Sequence, residues 1–330
     1  ELIDVDFTGV SLLDGTNQGE DFDQFSQELR ITSPGGETID FIAGLYFQTQ
    51  KLKVTDSVQF NPFFLATPFA AIGDTTNERF YKQSADTYSA FAQATWNATD
   101  RLSFTAGARY NHETKDGSRN LSFTAGPLNT GFMTASPVPG FASLAHLTFA
   151  ALNIEEHSIS GSRKENSFNP IANIQYEATD NINLFASLSR GTNAGGFDIR
   201  GNSLPTSMRV AVPATFQFEE ETATNFEAGI KARWYNADFN ISYFNSTYDD
   251  LQQSVFDGTL NFNVQNAAKA SIQGVEADGR YLLADGLVLS GSLAFLDFEF
   301  DNFATAQCFF GQTPGTNGFC DITGQRPART

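Results

Sequence analysis

Three histidines, two cysteines and a few paired charges are the residues whose types could do chemistry in this chain. His112, His146 and His157 fall in or near loops and show no ligand spacing. A metal or haem site needs ligands that converge, so these three read as surface histidines. Asp249-Asp250 follows Tyr248 near a strand end. It could hold a cation with neighbouring carbonyls or form a solvated acidic rim, and the rim is the expectation. Gly195-Gly196 lacks the following helix and the Lys-Ser/Thr that a phosphate loop requires. There is no Gly-Xaa-Ser-Xaa-Gly, no His-Glu-Xaa-Xaa-His and no nucleophile with a partner histidine in place. Bond-making chemistry and a resident cofactor are therefore not expected. Cys308 and Cys320 share one Gly- and Pro-containing loop. An oxidising compartment would join them; a reducing one would leave two free thiols.

The elements that must position these residues show a rhythm. Segments of roughly ten alternating residues come in pairs, with tight turns inside a pair and long irregular joints between pairs. Trp96-Asn97-Ala98-Thr99-Asp100-Arg101 joins one pair and Tyr176-Glu177-Ala178-Thr179-Asp180-Asn181 a second. Trp234-Tyr235-Asn236-Ala237-Asp238 joins a third and Tyr281-Leu282-Leu283-Ala284-Asp285-Gly286 a fourth. Short turns at one end and long loops at the other are the plan of an outer-membrane β-barrel, with periplasmic turns and extracellular loops.

The face chemistry agrees. Strand side chains alternate between two faces. Phe226, Ala228, Ile230, Ala232 and Trp234 share one face, opposite Glu227, Gly229, Lys231 and Arg233. Val275, Ala277, Gly279, Tyr281 and Leu283 oppose Glu276, Asp278 and Arg280. The stretches 41–49 and 103–111 divide the same way. A water-filled lumen tolerates the charged face and a dry core does not. The apolar face is padded with Ala and Gly, which would fill a β-sandwich core poorly. Glu227, Lys231, Arg233, Glu276, Asp278 and Arg280 are the lumen-facing candidates, to pair with one another or to meet a passing solute. Trp96, Tyr176, Trp234, Tyr235 and Tyr281 sit beside the short turns and are the candidates for a periplasmic aromatic girdle. High β-propensity is the plainer account of their position.

The strands read as 1–7, 25–33, 39–54, 83–97, 101–115, 166–178, 181–190, 220–235, 238–256, 260–283 and 287–300. Long loops fill 11–24, 57–82, 116–165, 201–218 and 301–330, and loops of that length are usually functional. The 116–165 loop carries Phe123, Phe132, Met133, Phe141 and Phe149, which suit ligand capture or self-packing as a lid; the reading leans to capture. The segments 88–111 and 168–191 echo one another as strand, Ala-Thr-Asp turn and strand, a hairpin repetition rather than a solenoid.

Bulk properties exclude several classes. The 330 residues carry a formal charge of −18, whereas a sequence-independent nucleic-acid binder should be basic. Aromatics are 13% of the chain, which argues against wholesale disorder. Mean hydropathy is −0.26, compatible with a barrel whose lumen residues dilute the lipid-facing ones. No apolar run reaches the roughly 18 residues of a membrane helix, and no signal-peptide pattern opens the chain.

Four segments carry a family resemblance. Phe25 to Gln48, FSQELRITSPGGETIDFIAGLYFQ, resembles a hairpin common in TonB-dependent outer-membrane receptors. Ser189 to Asp198, SRGTNAGGFD, resembles that family's Gly-Gly-Phe strand end. Glu221 to Trp234, ETATNFEAGIKARW, is similar to its Thr-Asn-Phe/Tyr-Glu-Xaa-Gly-Xaa-Lys strand, and Ser271 to Gly286, SIQGVEADGRYLLADG, to its Gly-Val-Glu strand. The resemblance implies an antiparallel transmembrane β-barrel of about 22 strands, an N-terminal plug, and a box that contacts TonB. It implies energised import, through the TonB-ExbB-ExbD complex, of a scarce solute such as a ferric siderophore, corrinoid, haem or saccharide, in contact with outer-membrane lipid. About eleven strands are readable, roughly half a barrel, with neither a plug nor a terminal aromatic strand. The chain therefore reads as a partial receptor barrel, with an exported location that favours the Cys308–Cys320 disulfide. A passive porin and a secreted β-rich adhesin are the alternatives.

Overall fold

The computed structural model describes residues 3–4, 12–129, 143–152, 154–202, 216–256, 262–306, 308, 311–315 and 319–326. Eleven strands form one antiparallel sheet. In order they are β1 (Ile3–Asp4), β2 (Leu13–Thr32), β3 (Ile39–Phe60), β4 (Thr75–Thr99), β5 (Leu102–Ala125), β6 (His157–Thr179), β7 (Ile182–Asn193), β10 (Glu221–Trp234), β11 (Ala237–Phe256), β12 (Phe262–Ala284) and β13 (Leu287–Asn302). Between β7 and β10 a separate two-stranded ribbon pairs β8 (Gly196–Phe197) with β9 (Gln217–Phe218). A helix, α1 (Leu144–Ala151), lies between β5 and β6, with the Ser143 hydroxyl accepting from the His146 amide at 3.3 Å. Every strand neighbours the next in sequence, so the sheet is an up-and-down meander. Its ends are β1 and β13, and among the described residues it is an open wall rather than a closed ring.

Short turns gather at one end of the wall. Asp100–Arg101, Asp180–Asn181, Tyr235–Asn236 and Asp285–Gly286 each close a hairpin in a two-residue turn. Gly286 has φ +78°, a left-handed position that an L side chain would strain. The β2–β3 turn meets the same need with Gly35 and Gly36, at φ +90° and +79°.

The two faces differ as the alternation requires. Across β10, β11 and β12, Ile230 pairs with Ile241 and Ile241 with Ala277, and Trp234 pairs with Ala237 and Ala237 with Tyr281, all on one face. Lys231 pairs with Asn240 and Asn240 with Asp278, and Arg233 pairs with Asp238 and Asp238 with Arg280, on the other. The apolar face is the exposed one: Leu45, Ile230, Leu293 and Phe295 all stand open. An eight-residue aromatic spacing recurs along it, Tyr88 with Trp96, Phe168 with Tyr176, and Phe226 with Trp234, and all six rings are exposed. At about 3.4 Å per residue and a tilt of about 40°, that spacing spans roughly 20 Å of height.

Several segments expected as loops are strand. Residues 13–24, 57–60, 75–82, 116–125 and 157–165 all lie in the ladder. Above the aromatic spacing both faces meet water or polar cover, so the apolar alternation disappears while the hydrogen bonding continues. The β2–β3 pairing runs unbroken in direction from Thr32↔Ile42 to Leu13↔Phe60, with one bulge between Gly15 and Asn17. The expected first strand is described only at Ile3–Asp4. The joint at 257–259 and the end of the expected last loop, 327–330, lie outside the described residues.

Candidate functional site

The mouth opposite the short turns is crossed by a segment folded against the concave face. It leaves β7 at Asn193, passes through β8 to Asn202, and is described again from Phe216 through β9 to β10. Its seat is prepared by two glycines paired across β5 and β6, Gly117 and Gly161. A Cβ at Gly117 would overlap the Phe197 ring, and one at Gly161 would stand 2.9 Å from the same ring. Phe197 is buried in this notch with Tyr81 and Phe216. Gly195 and Gly196 serve the same close packing: a Cβ on Gly195 would collide with the Phe218 carbonyl oxygen. The Gly-Gly-Phe sequence is thus the start of an inward strap, not simply a strand end.

Asp198, next along, is almost fully buried and ties the two sides of the concave wall together. Its Oδ2 accepts from the Val264 amide of β12 at 2.7 Å, and its Oδ1 from the Arg200 and Gly201 amides at 2.7 and 2.8 Å. Its backbone carbonyl accepts from the Arg119 guanidinium of β5 at 2.8 Å. Strands β5 and β12 are separated in the sheet by β6, β7, β10 and β11. One residue reaches both because the sheet curls around it.

Arg119 has no exposed surface. Its Nε donates to His157 Nε2 at 3.0 Å, and it lies over the Phe216 ring at 5.4 Å. Since His157 Nε2 accepts, the imidazole proton is on Nδ1, which donates to the Glu155 carbonyl at 2.6 Å. Burial, and then the Arg119 charge, depress His157 to a pKa of about 4, so it is neutral at physiological pH. Burial pulls Arg119 down to about 10, against the opposing pull of Asp198; it stays charged. A second clamp sits nearer the strap's return: Arg163 holds Glu219 at 2.7 Å and also binds Glu165. Lys115 donates to the Gly195 carbonyl at 2.7 Å.

Beside the strap is an open cavity of about 400 Å³ on the concave face. Glu20, Asp56, Arg79, Tyr81, Ile199 and Arg200 line it. Arg79 donates to Asp56 at 2.8 Å and to the Asn202 side chain. Its Nε is buried with no hydrogen-bond partner among the described residues. Burial lowers the Arg79 pKa and raises that of Tyr81. The charged groups Glu20, Asp56 and Arg200 on this lining can orient a small polar solute by hydrogen bonds, while the Arg79 Nε lies out of reach behind them. None of this is a nucleophile–base pair. Among the described residues no cluster of three His, Cys, Asp or Glu side chains is arranged to hold a metal ion.

The residues singled out from sequence fall as follows. Arg233 and Arg280 both pair with Asp238 on the concave face, at 2.9 and 2.6 Å. Asn240 donates to Asp278 at 3.0 Å, and Lys231 sits over Phe185 at 5.0 Å. Glu227 and Glu276 share that face. Trp96, Tyr176, Trp234 and Tyr281 lie exposed on the convex face near the short turns, with Trp96 stacked on Phe104 at 5.7 Å. Tyr235 is in the turn itself, beyond the wall, and fully exposed. Cys308 and Cys320 are joined, with Cα atoms 5.0 Å apart. Asp249 pairs with Lys269 at 2.9 Å, and Asp250, at φ +56°, forms a bulge in β11 rather than a cation site. His146 bonds Glu156 at 3.0 Å and His112 bonds Asn166 at 2.8 Å. His157 is buried, against the surface expectation.

The aromatics of the 116–165 stretch correct the leaning towards capture. Phe123 and Phe149 stack at 4.2 Å in a buried cluster with Phe60, Ile72, Leu121 and Ile154. They pack a lid and are closed to any ligand. Phe132, Met133 and Phe141 lie outside the described residues. Arg79, Arg119, Asp198 and the Gly117–Gly161 notch were not found from sequence. The only signal was two glycines flanked by Asp/Ser and Ser, easily taken for loop.

A curled antiparallel meander with an apolar convex face, a charged concave face and a strap across one mouth is the wall of a large transmembrane-type β-barrel. The comparisons define which one. The chain belongs to the TonB dependent receptor-like β-barrel family, whose family model matches residues 4–329. It is 23% identical over 275 residues to a pesticin receptor of Yersinia enterocolitica, covering 82% of this chain, and 22% identical to that of Yersinia pestis. The chain spans about a third of the length of these curated relatives, 33% in each case. Its fold is similar to the ferric yersiniabactin uptake receptor FyuA from Yersinia pestis, with TM-score 0.64 and 20% identity over 88% of this chain and 37% of that one. It is similar also to the siderophore receptor PiuA from Acinetobacter baumannii, with TM-score 0.58 and 13% identity over 91% and 42%. Members of this family are outer-membrane receptors of Gram-negative bacteria that work with TonB.

Proposed function

We propose that this chain is part of the barrel of an outer-membrane transporter that binds a scarce solute at its extracellular mouth and imports it with energy from TonB. The observation that carries the reading is the strap clamped across the concave face beside the Arg79 cavity. A polar pocket beside a strap anchored to both sides of the wall is the arrangement a capturing receptor uses to hold a solute before passage. The reaction is binding and passage, with no bond made or broken. A plug and a TonB-contacting box belong to the reading as parts of the longer receptor.

The solute class favoured is an anionic metal chelate of the ferric siderophore type. Arg79 and Arg200 line the cavity, and the relatives named above are siderophore or pesticin receptors. Corrinoids, haem and saccharides are the other cargoes of the class. The lumen charges Glu227, Lys231, Arg233, Glu276, Asp278 and Arg280 line the route inward, and the convex aromatics meet outer-membrane lipid.

The test is uptake by cells expressing the whole receptor under iron limitation, with and without TonB. Labelled ferric chelate taken up only with both receptor and TonB supports the reading. Uptake of unrelated small solutes that continues without TonB would point to the porin alternative, and a protein recovered in water without detergent to the adhesin.

A further inference from the structure

The strands of the wall are not equally tall. β6 pairs with β7 only from Thr179↔Ile182 up to Ile171↔Ser189, while its pairing with β5 continues to Leu121↔His157. β7 turns inward at Asn193, and its neighbour β10 starts level with it, Glu221 opposite Asn193. Beyond them β11 runs on past Asp249 to Phe256 with only β12 beside it. Two short strands between two tall ones leave a notch in the mouth end of the wall. Three strand spacings separate β6 from β11 in the sheet, about 14 Å, so the notch has room for two further strands. The strap passes behind it on the concave side, where the Glu165 carboxylate accepts from the Gly195 amide at 3.0 Å.

Pro170 fixes which groups face the notch. It sits opposite Ala108 in an unbroken β5–β6 ladder although it has no N–H to give. Proline is tolerated there when its nitrogen points away from the paired strand. Along an antiparallel strand, successive residues alternate in the side to which both N–H and C=O point. Glu177, of opposite parity, does donate towards β5, from its amide to the Arg101 carbonyl at 2.8 Å. Ser158, Ser160, Ser162, Lys164 and Asn166 therefore turn their backbone groups to the notch. Among the described residues no backbone group pairs with them there. The facing edge of β11 is guarded: Asp249-Asp250 bulge it, and the Glu221 carboxylate accepts from the Gln252 amide at 2.8 Å. β6 carries no bulge between His157 and Pro170.

Donors and acceptors set out at the period of a strand specify their partner, which is another extended polypeptide. A second barrel cannot supply it, because the edge points along the circumference into the notch and not outward. Charge narrows the choice. Arg163 and Glu165 are tied to one another, and Arg163 to Glu219 of the strap. Lys164, exposed on the convex face, forms no ion pair among the described residues, and opposite charges across neighbouring strands attract. We propose that the β6 edge from Ser158 to Asn166 takes up an extended, acidic segment of an extracellular protein as an added strand. The inference rests on the membrane reading only for the side from which that segment arrives; the pairing itself needs just the folded wall.

The test uses the whole receptor in mild detergent and a synthetic peptide of about eight residues, alternating Thr and Val with one central Glu. Hydrogen exchange is read at single residues by fragmentation mass spectrometry. The peptide should slow the amides of Ser160, Ser162 and Lys164 about tenfold or more. Those of Gly161 and Arg163, already turned to β5, should not change. Slowing of both sets alike, or of neither, overturns the inference. So does protection of Ser160, Ser162 and Lys164 before any peptide is added, which would show the edge covered within the receptor. The same peptide with every backbone amide N-methylated keeps its side chains and should not bind; binding equal to the parent peptide overturns the inference. Exchanging its Glu for Lys should weaken binding by about fivefold at most, and no weakening overturns the acidic preference. Ser162→Pro removes one notch-facing N–H, as Pro170 does, and should weaken binding about tenfold while Gly161 and Arg163 stay protected. Should that variant not fold, the N-methylated peptide tests the same bonds on the parent receptor.

Discussion

Arg119 donates to the backbone carbonyl of Asp198 at 2.8 Å, while the carboxylate of the same aspartate is held by the Val264 amide on the far side of the wall. Two strands with four others between them are thereby tied through one buried residue. Removing one member of such a buried charged set leaves the other desolvated and unmatched, which costs about 3–5 kcal/mol. That cost falls on the strap, since the barrel ladder has its own hydrogen bonds. Asp198→Ala should leave the barrel folded and free the strap. Hydrogen exchange of 194–202 should rise from protected to near that of open loops. Unchanged protection there would show that the strap is held by something else.

The Phe197 seat gives a test of shape rather than charge. Gly117→Val puts a side chain where the Phe197 ring already lies. Overpacking of this kind costs about 1–3 kcal/mol. Limited proteolysis should cut the strap faster in Gly117→Val, and Phe197→Ala in the same chain should slow it again. A double variant no slower than the Gly117→Val single would separate the two residues energetically.

Protonation of His157 should loosen the same strap. Its folded pKa of about 4 is below the ordinary 6.5, through burial and the Arg119 charge. The opened state therefore binds the extra proton between these values. Stability is complete above about pH 6.5, falls as pH drops towards 4, and levels below that; the full loss is of order 3 kcal/mol. Strap protection followed by hydrogen exchange from pH 7 to 4 should show this fall. His157→Gln, whose amide oxygen can still accept from Arg119, should flatten it. A parent profile flat over that window would refute the assignment.

Much of the wall was legible because lipid and lumen impose a strict two-residue period. Ile230 and Lys231 must face opposite solvents, and their types say so. The short turns were legible because Asp-Gly and Asn-Ala-Asp close hairpins. Above Tyr88 and Phe168 that constraint lapses, so residues 75–82 and 157–165 looked like loop although their backbones continue the ladder. The strap was hidden for another reason. Its anchor, Asp198, pairs with residues 79 and 66 positions away, and no local pattern reports such contacts. The upper aromatic row went unread because its rings are spaced by strand length, visible only once the strands are in register.

The neighbours Ile230 and Lys231 carry the last prediction. They sit mid-strand in β10, one on the convex face and one on the concave. Ile230→Lys would place an ammonium in the apolar band, where a charge near the bilayer midplane costs about 2–4 kcal/mol. Lys231→Ile removes a charge from the wet side and gives up only its contact with Phe185 at 5.0 Å, about 0.5–1 kcal/mol for an exposed cation–π pair. Both changes exchange the same two residue types, so intrinsic propensity largely cancels between them. Reversible urea unfolding of the whole receptor in lipid vesicles should find the first variant several-fold more destabilised than the second. Equal losses would mean that both faces see the same solvent, which no transmembrane wall allows.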